Sequence, residues 1–132
     1  MFDAHALSGT ANEAKEMLPW LVWAKRTDSS PHVSTATLAE TTDGSPRDAN
    51  LRRVIKAFNL EPVTEEIGYT AGRIRASAAR SRKKTRDLTI DALVAATAMS
   101  LRPPVLVLTS DTADLELLLQ GTGITVKSIG KD

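Results

Sequence analysis

Val105-Leu106-Val107-Leu108-Thr109-Ser110-Asp111 is the stretch whose reading decides the fold. It is a continuous apolar run closed by a threonine, too short for a helix, with Pro103-Pro104 before it and Ser110-Asp111 after it. Such a run suits a parallel strand covered on both faces. Upstream, residues 89–101 form an Ala-rich pattern that is apolar on nearly all sides except at Asp91, Thr97 and Ser100. That pattern predicts a buried helix. Downstream, residues 112–119 predict a second helix, Gly121-Thr122-Gly123 a turn, and residues 124–129 a final strand with alternating polarity. Strands alternating with helices predict an α/β fold with a doubly wound parallel sheet of about four to five strands.

The first two thirds fit this frame in smaller pieces. Residues 2–7 are apolar but very short, and Ser8-Gly9-Thr10-Ala11-Asn12 reads as a turn leading into a helix. That helix carries Ala14, Met17, Leu18, Leu21, Val22 and Trp23, with Pro19 kinking it or starting its main part. His32-Val33-Ser34-Thr35 predicts a short strand and residues 36–41 a short helix bearing Glu40. A helix over 48–58, a strand near 60–63 and a helix over 65–81 follow, the last announced by Thr64-Glu65-Glu66 as a cap.

Length and composition bound the class. A chain of 132 residues is the size of one ordinary domain, so residues 1–132 are read as a single unit. Only 4% of residues are aromatic, which argues against an RNA platform built on stacked rings. Cysteine is absent, which removes disulfides and Cys-based zinc sites and suits a reducing cytoplasm. No apolar run approaches the roughly 18–20 residues of a membrane span, and no basic, then apolar, leader opens the chain. The net charge of +1 decides little, but its distribution does: seven of the 17 Lys and Arg residues lie within residues 73–86.

In open parallel sheets, function gathers at the carboxyl ends of strands. The acids expected there are Asp3, Asp111 and Asp114, joined by Asp91 and Glu40 as lone acids on otherwise apolar helices. Carboxylates that converge repel one another and call for a cation. Magnesium or manganese fits, being hard and oxygen-seeking. Each acid also has a plainer reading: Asp111 and Asp114 as a cap and a helix-start acid, Asp91 as a first-turn acid, Glu40 as a solvated helix residue, Asp3 as a loose terminus. His5 and His32 have no third group spaced for zinc. Arg73, Arg75, Arg80, Arg82, Lys83, Lys84 and Arg86 read either as a solvated helix end or as an edge for nucleic-acid phosphates.

"DALVAATA" at residues 91–98, paired with "VLTSD" at 107–111 and Asp114-Leu115, resembles a PIN-domain ribonuclease, in particular the VapC-type toxins of toxin–antitoxin pairs. "FDAHAL" at 2–7 and "STATLAE" at 34–40 resemble that family's first two acidic segments. The resemblance implies a PIN-like parallel sheet, a divalent metal (Mg2+ or Mn2+) and hydrolysis of RNA. It implies Asp3, Glu40, Asp91 and Asp111 as the catalytic quartet, with Asp3, Asp91, Asp111 and Asp114 toward the metal and Ser110 as an auxiliary contact. It implies a homodimer and an antitoxin partner. One feature departs from the family: only Met1 and Phe2 precede Asp3, a span of about 7 Å. An upstream extension of about four apolar residues is expected to strengthen the strand and its metal site.

The sequence is therefore read as a metal-dependent endoribonuclease, a hydrolase. Its rival is a silent PIN-fold protein that binds RNA or a partner without cleaving. A phospho-Asp or nucleotide-binding domain is disfavoured, because no Gly-rich loop follows a strand.

Overall fold

The computed structural model of the chain describes residues 1–81 and 87–130. Arg82, Lys83, Lys84 and Arg86 of the expected basic edge therefore lie outside the described residues.

Asp3 accepts a hydrogen bond from the Ala6 N–H at 3.0 Å and so starts α1 (Ala4–Ala11). The turn expected over residues 8–12 is instead mostly the second half of this helix, because the cap sets its start earlier than Ser8. Gly9 permits close packing there: a Cβ on it would meet Met17 Cγ at 3.0 Å. A short 3-10 turn (Lys15–Met17) leads to α2 (Leu18–Arg26), in whose first turn Pro19 sits, where it sacrifices no hydrogen bond.

Strand β1 (His32–Ser34) runs directly into α3 (Thr35–Thr41), capped by the Ser34 hydroxyl. Helix α4 (Asp48–Ile55) stops short of Phe58, and β2 (Asn59–Glu61) ends at Pro62, which offers no donor to a ladder. Thr64 caps α5 (Glu65–Arg80) as its sequence predicts. Helix α6 (Thr89–Met99), strand β3 (Leu106–Thr109), α7 (Thr112–Leu118) and β4 (Thr125–Ser128) complete the described chain.

The strands pair in parallel as β1 with β2 and β3 with β4, His32 facing Asn59 and Leu106 facing Thr125. What joins the pairs is residues 1–3. Phe2 makes isolated parallel bridges to both Val33 and Leu108. The Phe2 N–H donates to His32 O at 2.9 Å, the Leu108 N–H to Met1 O at 2.9 Å, and the Asp3 N–H to Leu108 O at 3.2 Å. The doubly wound sheet expected from sequence is thus present in part, as two parallel pairs joined through bridges at Phe2.

Successive side chains of an extended segment point to opposite faces. Met1 accordingly packs with Val107 among α5, α6 and α7, while Phe2 packs with Leu108, Ala6 and Met17. Phe2 also meets the Phe58 ring edge-on, centroids 4.9 Å apart. A third cluster joins Leu7 and Ala11 of α1 to Val33 and Leu51. Helix α6 buries Ala92, Val94, Ala95, Ala96 and Ala98, and its small side chains admit α5, which presents Ile67, Ala71, Ile74 and Ala78. Among the described residues no helix is long and apolar enough to cross a membrane.

The Met1 ammonium donates to Leu106 O at 2.8 Å, and burial lowers its pKa from 8.0 to about 6. Between these values the unfolded chain binds more protons than the folded one, so stability rises as pH rises from about 6 to about 8. For the 132-residue chain, urea unfolding should show a gain of about 2–3 kcal/mol across that window. Acetylating the amine should flatten the profile. A flat profile with the amine intact would show that the ammonium is solvated.

Candidate active site

Three of the proposed acids, Asp3, Asp111 and Asp114, sit where an extended segment hands over to a helix or in that helix's first turn. Asp3 is 5% exposed and caps α1 through Oδ1; its Oδ2 lies 3.7 Å from Nδ1 of the exposed His5. Asp111 caps α7, accepting from the Ala113 N–H at 3.2 Å. Its own N–H donates to Thr109 Oγ1 at 3.1 Å, so the buried Thr109 fixes the backbone on which Asp111 stands. Asp3 and Asp111 thus follow the ends of two neighbouring parallel segments, since the Asp3 N–H reaches Leu108 O. Asp114 is in the first turn of α7, and Ser110 is exposed at the bend after β3.

Asp91 is in the first turn of α6 and half-buried. It does not cap that helix. Asp87 serves the helix start instead, accepting from the Thr89 N–H at 2.9 Å and the Thr89 hydroxyl at 2.6 Å. Those two bonds hold the Asp87 carboxyl below the usual range, with a smaller contribution from the Arg75 charge. Glu40 is exposed in the last turn of α3 and lines a cavity of about 300 Å³ with Ser8, Asn12, Asp48 and Asn50.

Among the described residues no three acids or histidines stand together closely enough to hold a metal ion. The chemistry of the donors nevertheless suits a hard divalent cation, because every one of them is an oxygen. A carboxylate has about four lone-pair sites, so capping a helix and contacting a cation are compatible tasks for Asp3 and Asp111.

Arg73, Arg75 and Arg80 are exposed along α5. His32 is not in the acidic group: its Nδ1 lies 2.7 Å from Glu61 Oε2, tying β1 to β2.

Two residues escaped the sequence reading. Asp48 is 7% exposed, its carboxylate accepting from the N–H groups of Asp43 and Gly44 at 3.3 and 2.8 Å. An acid shortly after an Asp-Gly-Ser-Pro turn was the available signal for it. Thr37 is fully buried, and its hydroxyl has no hydrogen-bond partner among the described residues. Nothing in its local sequence marks it.

No family model matches the chain, and no curated protein matches it. Solved structures do. A chain of VapBC2 from Rickettsia felis, in a structure bound to a DNA fragment from their promoter, superposes with a TM-score of 0.73 at 11% identity. That match covers 97% of this chain and 96% of the other. A chain of FitAB bound to the IR36 DNA fragment gives 0.68 at 20% identity, covering 97% and 93%. A chain of FitAcB from Neisseria gonorrhoeae gives 0.68 at 21% identity, covering 97% and 96%. The chain therefore has the fold of these proteins, the PIN-type fold that its sequence resemblance implies.

The cap on α1 makes a separable prediction. Asp3→Ala should lower the unfolding free energy by about 1–2 kcal/mol, whereas Asp3→Asn, which keeps an oxygen for the Ala6 N–H, should cost clearly less. Equal losses in urea unfolding would show that the negative charge, not the cap, is what the fold uses.

Proposed function

We propose that this chain is a metal-dependent endoribonuclease, the toxin of a toxin–antitoxin pair. The observation that carries the reading is the placement of Asp3 and Asp111 after the ends of neighbouring parallel segments, in a fold shared with VapBC2 and FitAB. Asp3, Asp91, Asp111 and Asp114 would hold the cation, directly or through water, with Glu40 acting through a water. A divalent ion supplies an activated water and stabilises charge on a phosphoryl oxygen. The chain's own residues do the positioning. Thr109 and the α7 cap fix the Asp111 backbone, burial fixes Asp3, and α5 offers Arg73, Arg75 and Arg80 to the RNA backbone. A second reading, binding without cleavage, draws on the absence of any three gathered acids among the described residues.

A cleavage assay on total RNA with and without EDTA separates the two. Under the first reading wild type cleaves, and EDTA stops it. Asp91→Asn and Asp111→Asn should each reduce cleavage by roughly 100-fold or more, the scale of losing one group that stabilises charge in a transition state. The thermal melt of Asp111→Asn should stay close to wild type, since Asn still caps α7. EDTA-resistant cleavage, or near-normal cleavage by either variant, would sink the assignment.

The reading also requires a partner surface, and α2 supplies one. It buries no residue fully, and Leu18, Val22 and Trp23 are 56%, 48% and 42% exposed. Trp20 instead turns inward, its Nε1 donating to Ile129 O at 3.2 Å. We assign the outer face of α2 to the antitoxin or to a second copy of the chain. Replacing Val22 with Ser should change unfolding free energy by no more than about 0.5 kcal/mol; Trp23→Ser should cost about 1 kcal/mol, because its ring meets Trp20 edge-on with centroids 6.2 Å apart, and Trp20→Ala about 2 kcal/mol or more. Together, the Val22 and Trp23 substitutions should abolish any dimer seen by sedimentation or reduce capture of the antitoxin. Association unaffected on both counts would move the interface elsewhere.

A further inference from the structure

Helix α4 carries a charge that the site described above does not use. Residues 49–60 contain Arg52, Arg53 and Lys56 and no acid. Leu51, Val54 and Ile55 pack into the cluster of Leu7 and Val33. At 3.6 residues per turn this leaves the three cations on the opposite face, where all three are exposed. Arg52 and Lys56 stand one turn apart, with Arg53 beside them. The ion pairs seen among the described residues engage Arg47 and the two histidines, not these three. The helix dipole favours cations in a last turn, which accounts for their sign but not for what adjoins them.

What adjoins them is the cavity of about 300 Å³ whose walls come from α1, α3, α4 and the loop before α4. Arg53 Nη2 donates to Asn50 Oδ1 at 3.3 Å, and Asn50 lines that cavity with Ser8, Asn12 and Glu40. Two further acids on the wall are already engaged. The Asp48 carboxylate takes the Asp43 and Gly44 N–H groups, and Asp43 pairs with Arg47 at 3.0 Å. The groups left for a ligand are a hydroxyl, two carboxamides and the Glu40 carboxylate. Hydroxyls and carboxamides both donate and accept, as the edge of a nucleobase requires and a phosphate, which only accepts, does not. No aromatic ring lines the cavity, so selection there works through hydrogen bonds rather than stacking. Its volume is at the lower end for small-ligand pockets, room for one unpaired base and not for a duplex.

Resting on the ribonuclease reading above, we propose that this cavity is a nucleotide subsite for single-stranded RNA. An unpaired base enters it and is read by Asn12 and Asn50, while Arg52, Arg53 and Lys56 hold the adjoining phosphates. The bond from Arg53 to Asn50 ties the two halves together. Phosphate contacts then set affinity and register, and the carboxamides set which base is preferred. Glu40 shares the wall, which puts the subsite beside an acid proposed for the chemistry.

The test is fluorescence anisotropy of the whole chain, in EDTA so that nothing is cut. The probes are single-stranded oligo(A), oligo(C), oligo(U) and oligo(A) with one central G, each of about 12 nucleotides. Replacing Arg52, Arg53 and Lys56 with Gln, which keeps helix propensity, should weaken every complex by roughly 10-fold or more. The salt dependence should become shallower by about 2 log units per decade of salt, at about 0.7 per lost contact. Asn12→Ala with Asn50→Ala should leave that slope alone but weaken the preferred RNA by about 10-fold, removing most of the difference among the probes. Both variants should melt close to wild type, since every replaced side chain is exposed. Wild-type affinity and slope in the Gln variant overturn the proposal, even if substituting Arg73, Arg75 and Arg80 weakens binding, and leave the patch to an acidic protein segment. No loss in the Asn variant, or an equal loss on every probe, overturns the base subsite. A wild type that binds none of the probes overturns it too. The ribonuclease reading stands or falls on the cleavage assay above, a separate result.

Discussion

Three residues at the start of the chain hold the rest in register. Residues 1–3 lie between β1 and β3, exchanging backbone hydrogen bonds with His32 on one side and with Leu106 and Leu108 on the other. Each parallel pair on its own is a two-stranded ribbon, marginal in isolation. The bridges at Phe2 bind the two ribbons together, and the side chains of the same segment carry the connection into both layers. Met1 enters the cluster of α5, α6 and α7, and Phe2 enters the cluster of α1, α2 and Phe58. A segment this short supplies few bonds, so each matters more than its equivalent in a full strand.

The same segment explains why the acids stand where they do. Parallel strands all deliver their carboxyl ends to one edge, and the helix that follows each strand must satisfy its first N–H groups there. Asp3, Ser34 and Asp111 all perform that task. Capping therefore draws acidic and hydroxyl oxygens to a common rim before any chemistry is asked of them. The nuclease proposed above would draw its oxygen ligands from residues that capping already places at that rim. Thr37 is the exception, since capping and helical hydrogen bonding both pass it by.

The two faces of the molecule are treated differently. Helices α5 and α6 meet through alanines and branched aliphatics, and α6 leaves little apolar surface unburied. Helix α2 is held by Trp20 on one side and keeps Leu18, Val22 and Trp23 toward solvent. Exposed aromatic and aliphatic side chains at helical spacing suit an interface with another chain.

Much of the architecture was legible in the residues themselves. The apolar run ending at Thr109, the all-round burial of α6 and the caps at Thr64 and Asp111 follow from periodicity and local hydrogen bonding, which are sequence-near properties. Helix α1 was not read from the sequence, because Gly9 and Asn12 look like turn residues. In the fold, a cap at Asp3 and a close approach by Met17 make a glycine in that helix useful. The acidic positions could be named from the sequence, but not their surroundings. That Asp87 rather than Asp91 serves the start of α6, or that Asp48 gathers two backbone N–H groups, depends on loop paths no pattern encodes. Sequence alone determined the strands and helices from β1 onward and which oxygens are candidates, because those follow from neighbours along the chain. Tertiary structure alone decided that residues 1–3 would join the two strand pairs and that one threonine would be buried with no hydrogen-bond partner among the described residues, because both depend on groups brought together from distant segments.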